Sequence, residues 1–214
     1  MSPTAQAGVV TQWVENPTGG RDRGPVALAR AWAEAMGRPR RLFRTAVAPG
    51  DQAPGLIFAA TVVLVEEASR VAFGAASYPT LGDQPLVSTV FWLALATLLV
   101  APAVLHLTAA LQTLLLRGFV AERAGVSETV QVIAYAAAPA VFAGVPVPAV
   151  RLLATAYGSV LLAVGISEVH GISPWKAGAL TALPSALVFG YGFRGFGALS
   201  AVTGVTWADV AGAV

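Results

Sequence analysis

Cysteine is absent from all 214 residues. That excludes disulfides, thiolate nucleophiles and cysteine-based zinc or iron–sulfur sites. Charge is scarce as well: 11% of the chain is charged and 56% is hydrophobic. Soluble domains carry about 25% charged residues, and a soluble fold of this size could not hide so much apolar surface. The signatures of zinc proteases (His-Glu-x-x-His) and of serine hydrolase elbows (Gly-x-Ser-x-Gly) do not occur, and no aspartate falls inside a confident apolar run. No metal and no cofactor is therefore expected. The first 25 residues lack a basic-then-apolar leader pattern, so targeting would rest on the first internal apolar span. Asn16-Pro17-Thr18 resembles a glycosylation acceptor, but its central proline rules it out. Gly190-Tyr-Gly-Phe-Arg-Gly195 matches a dinucleotide fingerprint by letter. No strand is expected before it, and the glycines read better as helix ends.

What is present is oil. Leu86 to Leu116 is 31 residues without one Asp, Glu, Lys or Arg. As a helix it would run roughly 46 Å, more than the ~30 Å of hydrocarbon in a bilayer. The expected fold is all-α: a polytopic membrane helix bundle of about five transmembrane helices, preceded by short amphipathic interfacial helices. The first span runs from Pro54 to Ala76 and carries Glu66, Glu67 and Arg70 past its midpoint. Arg70 is within helical reach of Glu66 (i, i+4) and Glu67 (i, i+3). Charges at such depth should face the bundle interior. A structural charge pair is favoured there over an ion, proton or ligand pathway.

The second span holds His106 and Gln112 and should kink between Leu98 and Pro102, where proline removes a backbone donor. His106 should face protein and hydrogen-bond there. The third span, Glu128 to Val145, is broken by Pro139, with Ser127 as its expected N-cap. The fourth begins at Arg151, and Ala154 and Gly158 give it a small-residue face for close packing. The fifth runs from Trp175 to Phe193 with Pro184 inside it. The candidate intramembrane polar site is Glu66, Glu67, Arg70, His106 and Tyr135.

The flanks sort by charge. Residues 1–24 read as a mobile tail. Residues 25–50 read as a basic amphipathic cytoplasmic arm of two short helices. In it Leu28, Trp32 and Met36 oppose Arg30 and Glu34, and Leu42, Phe43, Ala46 and Val47 oppose Arg40, Arg41 and Arg44. Arg38, Arg40, Arg41 and Arg44 are candidate lipid-headgroup contacts on an anionic leaflet, the alternatives being that they only fix topology or meet protein. Residues 54–193 form the five-span domain, and 194–214 a Gly-rich tail that lies on the outer surface or re-enters. Ten of the thirteen basic residues fall on one side in this arrangement. The cell membrane is therefore the expected location, with the amino terminus cytoplasmic and the carboxyl terminus outside. The basic arm lacks the interleaved aromatics of a nucleic-acid binder.

The order of motifs resembles the Yip1 family, in particular its small prokaryotic and archaeal members. The residues that carry it are His106-Leu-Thr-Ala-Ala, Gly125-Val-Ser-Glu-Thr-Val-Gln-Val-Ile-Ala-Tyr-Ala-Ala-Ala-Pro139 and Val169-His-Gly-Ile-Ser-Pro-Trp-Lys-Ala177. They match the family's His before the central turn, its Tyr (Tyr135) followed by Pro four residues on, and its His-Gly turn before a Lys-Ala. The resemblance implies a five-helix membrane domain with a cytoplasmic amino terminus and no catalytic residues. Eukaryotic relatives are associated with vesicle trafficking and small GTPases. The acidic Asp-Leu-Tyr-Gly-Pro stretch of those relatives is missing here, which counts against GTPase binding. The expected role is a non-enzymatic organiser or adaptor whose partners are membrane lipids and other membrane proteins or further copies of itself. The alternative is a small transporter or channel component using Glu66, Glu67, Arg70 and His106. An unknown intramembrane enzyme is the third and weakest reading.

Overall fold

The computed structural model describes residues 24–76 and 78–205, and those residues form helices and turns with no strand. Two short helices, α1 (Pro25–Gly37) and α2 (Pro39–Thr45), lead into α3 (Ala53–Ala72). The longest helix follows as three joined pieces: α4 (Pro85–Leu95), a π-helical turn (Ala96–Val100) and α5 (Ala101–Phe119). Then come α6 (Val126–Ala136) with a 3-10 extension (Ala138–Phe142), and α7 (Pro148–His170). The last pieces are α8 (Pro174–Ser185), its π-helical continuation (Ala186–Gly192) and α9 (Gly195–Thr203). Two of these units are long and apolar enough to cross a membrane, Pro85–Phe119 with 35 residues and Pro148–His170 with 23.

Prolines set most of the boundaries. Pro54, Pro85, Pro148 and Pro174 each occupy the first turn of a helix, where the missing N–H costs nothing. Inside a helix the same residue opens the ladder. The expected kink before Pro102 takes the form of the π-turn Ala96–Val100, and Pro184 stands just before the second π-turn. Pro139 ends α6 as expected and converts its last turns to 3-10. The cap of α6 corrects the sequence reading: Gly125 holds the N-cap position and Ser127 is the second residue of the helix. Glycine fits because the extended backbone there lets the helix start before the serine is reached. At the far end of α7, Gly171 takes a left-handed φ of 64°, the conformation that stops a helix most cheaply on glycine.

The core runs along α6 and α7. Val130, Val132, Ile133, Tyr135, Leu161, Leu162 and Ile166 are buried together with Phe43 and Phe58. Two close approaches depend on glycine. A side chain at Gly158 would collide with the ring of Phe189, and one at Gly165 would come within 2.6 Å of Val132 and 2.9 Å of Phe43. The small-residue face expected on this helix is thus where aromatic rings seat.

The basic segment packs its apolar side against the bundle. Ala27, Ala31, Ala35, Leu42 and Phe43 belong to the core. Trp32 Nε1 donates to the carbonyl of Ala138 at 2.9 Å, and the Tyr157 hydroxyl donates to the carbonyl of Met36 at 2.6 Å. Just past α2, Gln131 clamps Ala48 from both sides, accepting from its N–H at 3.1 Å and donating to its carbonyl at 2.7 Å. The alanine stripe, which carries little hydrophobicity of its own, is what lets α1 lie close against the bundle. The tail expected over residues 1–24 and the tail residues Trp207 and Asp209 lie outside the described residues, apart from Gly24.

Candidate functional site

The polar cluster is built where α3 passes the junction of α8 and α9. Glu66 is 1% and Glu67 9% exposed, so both carboxylates turn inward. Arg194 reaches across from the other end of the domain and binds both: Nη1 lies 2.8 Å from Glu66 Oε1, and Nη2 lies 2.7 Å from Glu67 Oε1. Arg70 donates to Glu67 Oε2 at 2.7 Å. The Tyr78 hydroxyl donates to that same oxygen at 2.5 Å. Burial, then this hydrogen bond, push the Tyr78 phenol up to about 12, so at neutral pH it is a committed donor. Of the two pairings the spacing allowed Arg70, only the one with Glu67 forms; Glu66 is taken by Arg194.

Arg194 is the one non-glycine residue with positive φ among the described residues, at 61°. A left-handed backbone costs an ordinary residue roughly 1–2 kcal/mol. The two charge-assisted hydrogen bonds hold it there, and each of that kind contributes about 1.5–3 kcal/mol. Gly195 follows, where a Cβ would come 2.6 Å from the carbonyl of Phe189 and 2.8 Å from Thr155 Oγ1. This contact seats the start of α9 on α7. One turn before Thr155, Arg151 donates from Nε to the carbonyl of Ala143 at 2.7 Å. The next residue, Gly144, abuts the carbonyl of Glu66 so closely that a side chain would collide with it. Three guanidinium groups (Arg70, Arg151, Arg194) and two carboxylates therefore share one end of the bundle.

An apolar cavity of about 150 Å³ opens beside Glu66 and Glu67. Both π-turns line it, through Ala96 and Val100 on one side and Val188 and Gly192 on the other. Such bulges break the helix surface and are frequent at functional sites. Ile133 and Ala137 close the back, and Phe193 sits at the rim beside Arg194.

Of the remaining candidates, Tyr135 is fully buried two helical turns away, edge-on to Phe58 with ring centroids 5.2 Å apart. His106 is exposed, against the inward orientation expected of it. Its Nδ1 lies 2.7 Å from the carbonyl of Pro102, and its Nε2 lies 3.1 Å from Gln52 Oε1. Gln52 precedes Glu66 by roughly 20 Å of helix, so the structure does not join His106 to the carboxylates. The Pro102 carbonyl, one turn back, holds the ring along its own helix. Among the arm residues, Arg40 and Arg44 both grip Glu168, at 3.1 and 2.6 Å, and Arg41 stands 3.9 Å from Glu34. Arg38 is exposed. No set of three or more potential metal ligands gathers among the described residues. Sequence reasoning missed Arg194 as a site residue. The only signal for it was a lone arginine at an apolar helix end, 128 positions from its partner.

A helical chain with two apolar helices long enough to cross a bilayer, and a charge cluster turned inward, has the features of a helical membrane protein. Residues 29–194 match the Yip1 domain, and the chain belongs to the Yip1 family. No curated protein and no solved structure matches the chain.

Proposed function

We propose that this chain is a non-enzymatic membrane organiser or adaptor that works by contact with lipids and with the helices of other membrane proteins. Five spans serve that role: α3, α4–α5, α6 with its 3-10 extension, α7, and α8 with its π-turn. The skew of arginines toward one side supports a cytoplasmic amino terminus and an outward carboxyl terminus in the cell membrane. One observation carries the reading: the Pro85–Phe119 helix is largely uncovered by its own chain. Leu86, Leu98, Leu99, Leu107 and Leu114 are each more than 60% exposed. A face of that size has to be covered by acyl chains or by partner helices. On the cytoplasmic side Arg38 meets headgroups, while Arg40 and Arg44 divide their charge between headgroups and Glu168. Any trafficking-like role is an analogy drawn from the family.

The test is photo-crosslinking in native membranes from positions 98 and 107. Adducts with lipid and with defined membrane proteins are expected, and adducts with lipid alone would remove the adaptor half. Transport is the competing reading. The guanidinium groups already bound to both carboxylates count against it, as does the distance to His106. Proton or cation flux in reconstituted vesicles, lost on Glu66→Gln or His106→Ala, would overturn the organiser.

A further inference from the structure

Charge at the Glu66 end does not balance. Arg194 and Arg70 are matched by Glu66 and Glu67. Among the described residues Arg151 has no carboxylate partner; its Nε donates to the Ala143 carbonyl, and its two terminal nitrogens make no hydrogen bond there. Counted over the described residues, the half-buried cluster therefore carries one net positive charge. A cation kept partly out of water without a counter-ion calls for an anion from outside the chain.

The neighbouring cavity has a matching shape. Along the Pro85–Phe119 helix its lining runs from Ala96 to Leu105, a length of ~14 Å. Its polar rim is at Glu66 and Glu67, and the far end is Leu105, Ile133 and Ala134. Its charged lining residues are Glu66 and Glu67, the carboxylates that Arg194 and Arg70 bind. At about 150 Å³ it matches the size of cavities that admit small apolar guests. In a membrane the abundant species with an anion at one end and a hydrocarbon chain running inward is a phospholipid.

We infer that an anionic phospholipid binds here, its phosphate on Arg151 and the outer edge of Arg194, and a short segment of one acyl chain in the cavity between the two π-turns. The inference deepens the lipid half of the function proposed above and rests on it. The matched pairs keep the carboxylates from repelling the phosphate, while Arg151 supplies the attraction. The π-turns widen the helix surfaces enough to admit a chain.

The test uses the full chain in mixed micelles with either phosphatidylglycerol or phosphatidylcholine, with retained lipid read by native mass spectrometry. Phosphatidylglycerol is expected to be retained about tenfold over phosphatidylcholine, the discrimination one charge-assisted contact supplies. Arg151→Gln should erase that preference, and Arg151→Lys should keep part of it. Ala101→Phe, which fills the cavity, should lower retention of both lipids. Inorganic phosphate alone should not displace the lipid. Equal retention of the two lipids by the wild-type chain overturns the inference. So does retention untouched by Ala101→Phe, or full displacement by phosphate, which would leave a simple anion site. Unchanged helical circular dichroism separates these results from misfolding. Crosslinks to proteins from positions 98 and 107 do not depend on this site, so their survival alongside a failed lipid test would sink this inference alone.

Discussion

Removing Arg194 tests the central geometry most directly. Arg194→Ala leaves Glu66, 1% exposed, without its guanidinium and leaves Glu67 with Arg70 and Tyr78 only. Breaking a buried ion pair by deleting one partner costs about 3–5 kcal/mol, because the surviving charge stays buried. The Arg194 side chain is 34% exposed, so solvent screening lowers the expectation to about 2–4 kcal/mol. A smaller term runs in the same direction: alanine is no easier than arginine at φ 61°, so nothing is recovered from the backbone. Arg194→Gly removes the same guanidinium but relieves the left-handed strain, and should lie roughly 1 kcal/mol above the alanine variant. Glu66→Gln combined with Arg194→Ala takes away the stranded charge and should recover about half of the loss. The assay is equilibrium unfolding in detergent micelles followed by circular dichroism. Arg194→Ala within 0.5 kcal/mol of wild type, or a double variant no better than the single one, would refute a buried, bridging Arg194.

Further outcomes follow from other contacts. Gly144→Ala puts a methyl group against the backbone carbonyl of Glu66 and should cost about 1–3 kcal/mol in the same unfolding assay. Trp32→Phe keeps the ring but strands the Ala138 carbonyl that accepts from Nε1. About 1 kcal/mol should go, with greater exposure of the α1 segment to protease. Glu168→Gln releases Arg40 and Arg44, whose side chains are 63% exposed, and should change stability by less than about 1 kcal/mol. Tyr78 has its pKa raised to about 12. Its contribution is therefore complete below the ordinary phenol range near 10 and declines as pH climbs from there through 12. Ultraviolet titration should show Tyr78 ionising late, as a loss of high-pH absorbance change in Tyr78→Phe relative to wild type.

Much of the layout was legible because it is local. The long apolar run, the start at Pro54 and the Pro139 break act through neighbouring residues, and each produced the element expected of it; the helices that begin at Pro148 and Pro174 start one to three residues earlier than expected. The spacing of Glu66, Glu67 and Arg70 marked a paired cluster facing inward. Which acid pairs with which base was not legible, since Arg194 competes for Glu66 from 128 positions away. The orientation of His106 was misread for a related reason. The Pro102 carbonyl one turn back and Gln52, 54 positions away, offered hydrogen bonds on the exposed side. The alanines of α1 gave too weak a hydrophobic signal to show that the helix packs against α6 and its extension.

By itself the sequence determined that this chain is helical, that it belongs with lipid, and where its helices bend. Those follow from hydrocarbon length, backbone hydrogen bonding and proline, none of which needs a distant partner. Only the tertiary structure decided that the junction of α8 and α9 returns to α3, bringing Arg194 onto Glu66 and Glu67 beside an apolar cavity. That outcome depends on glycine gaps at Gly144, Gly158 and Gly195 admitting specific neighbours, and no local pattern encodes which neighbour arrives.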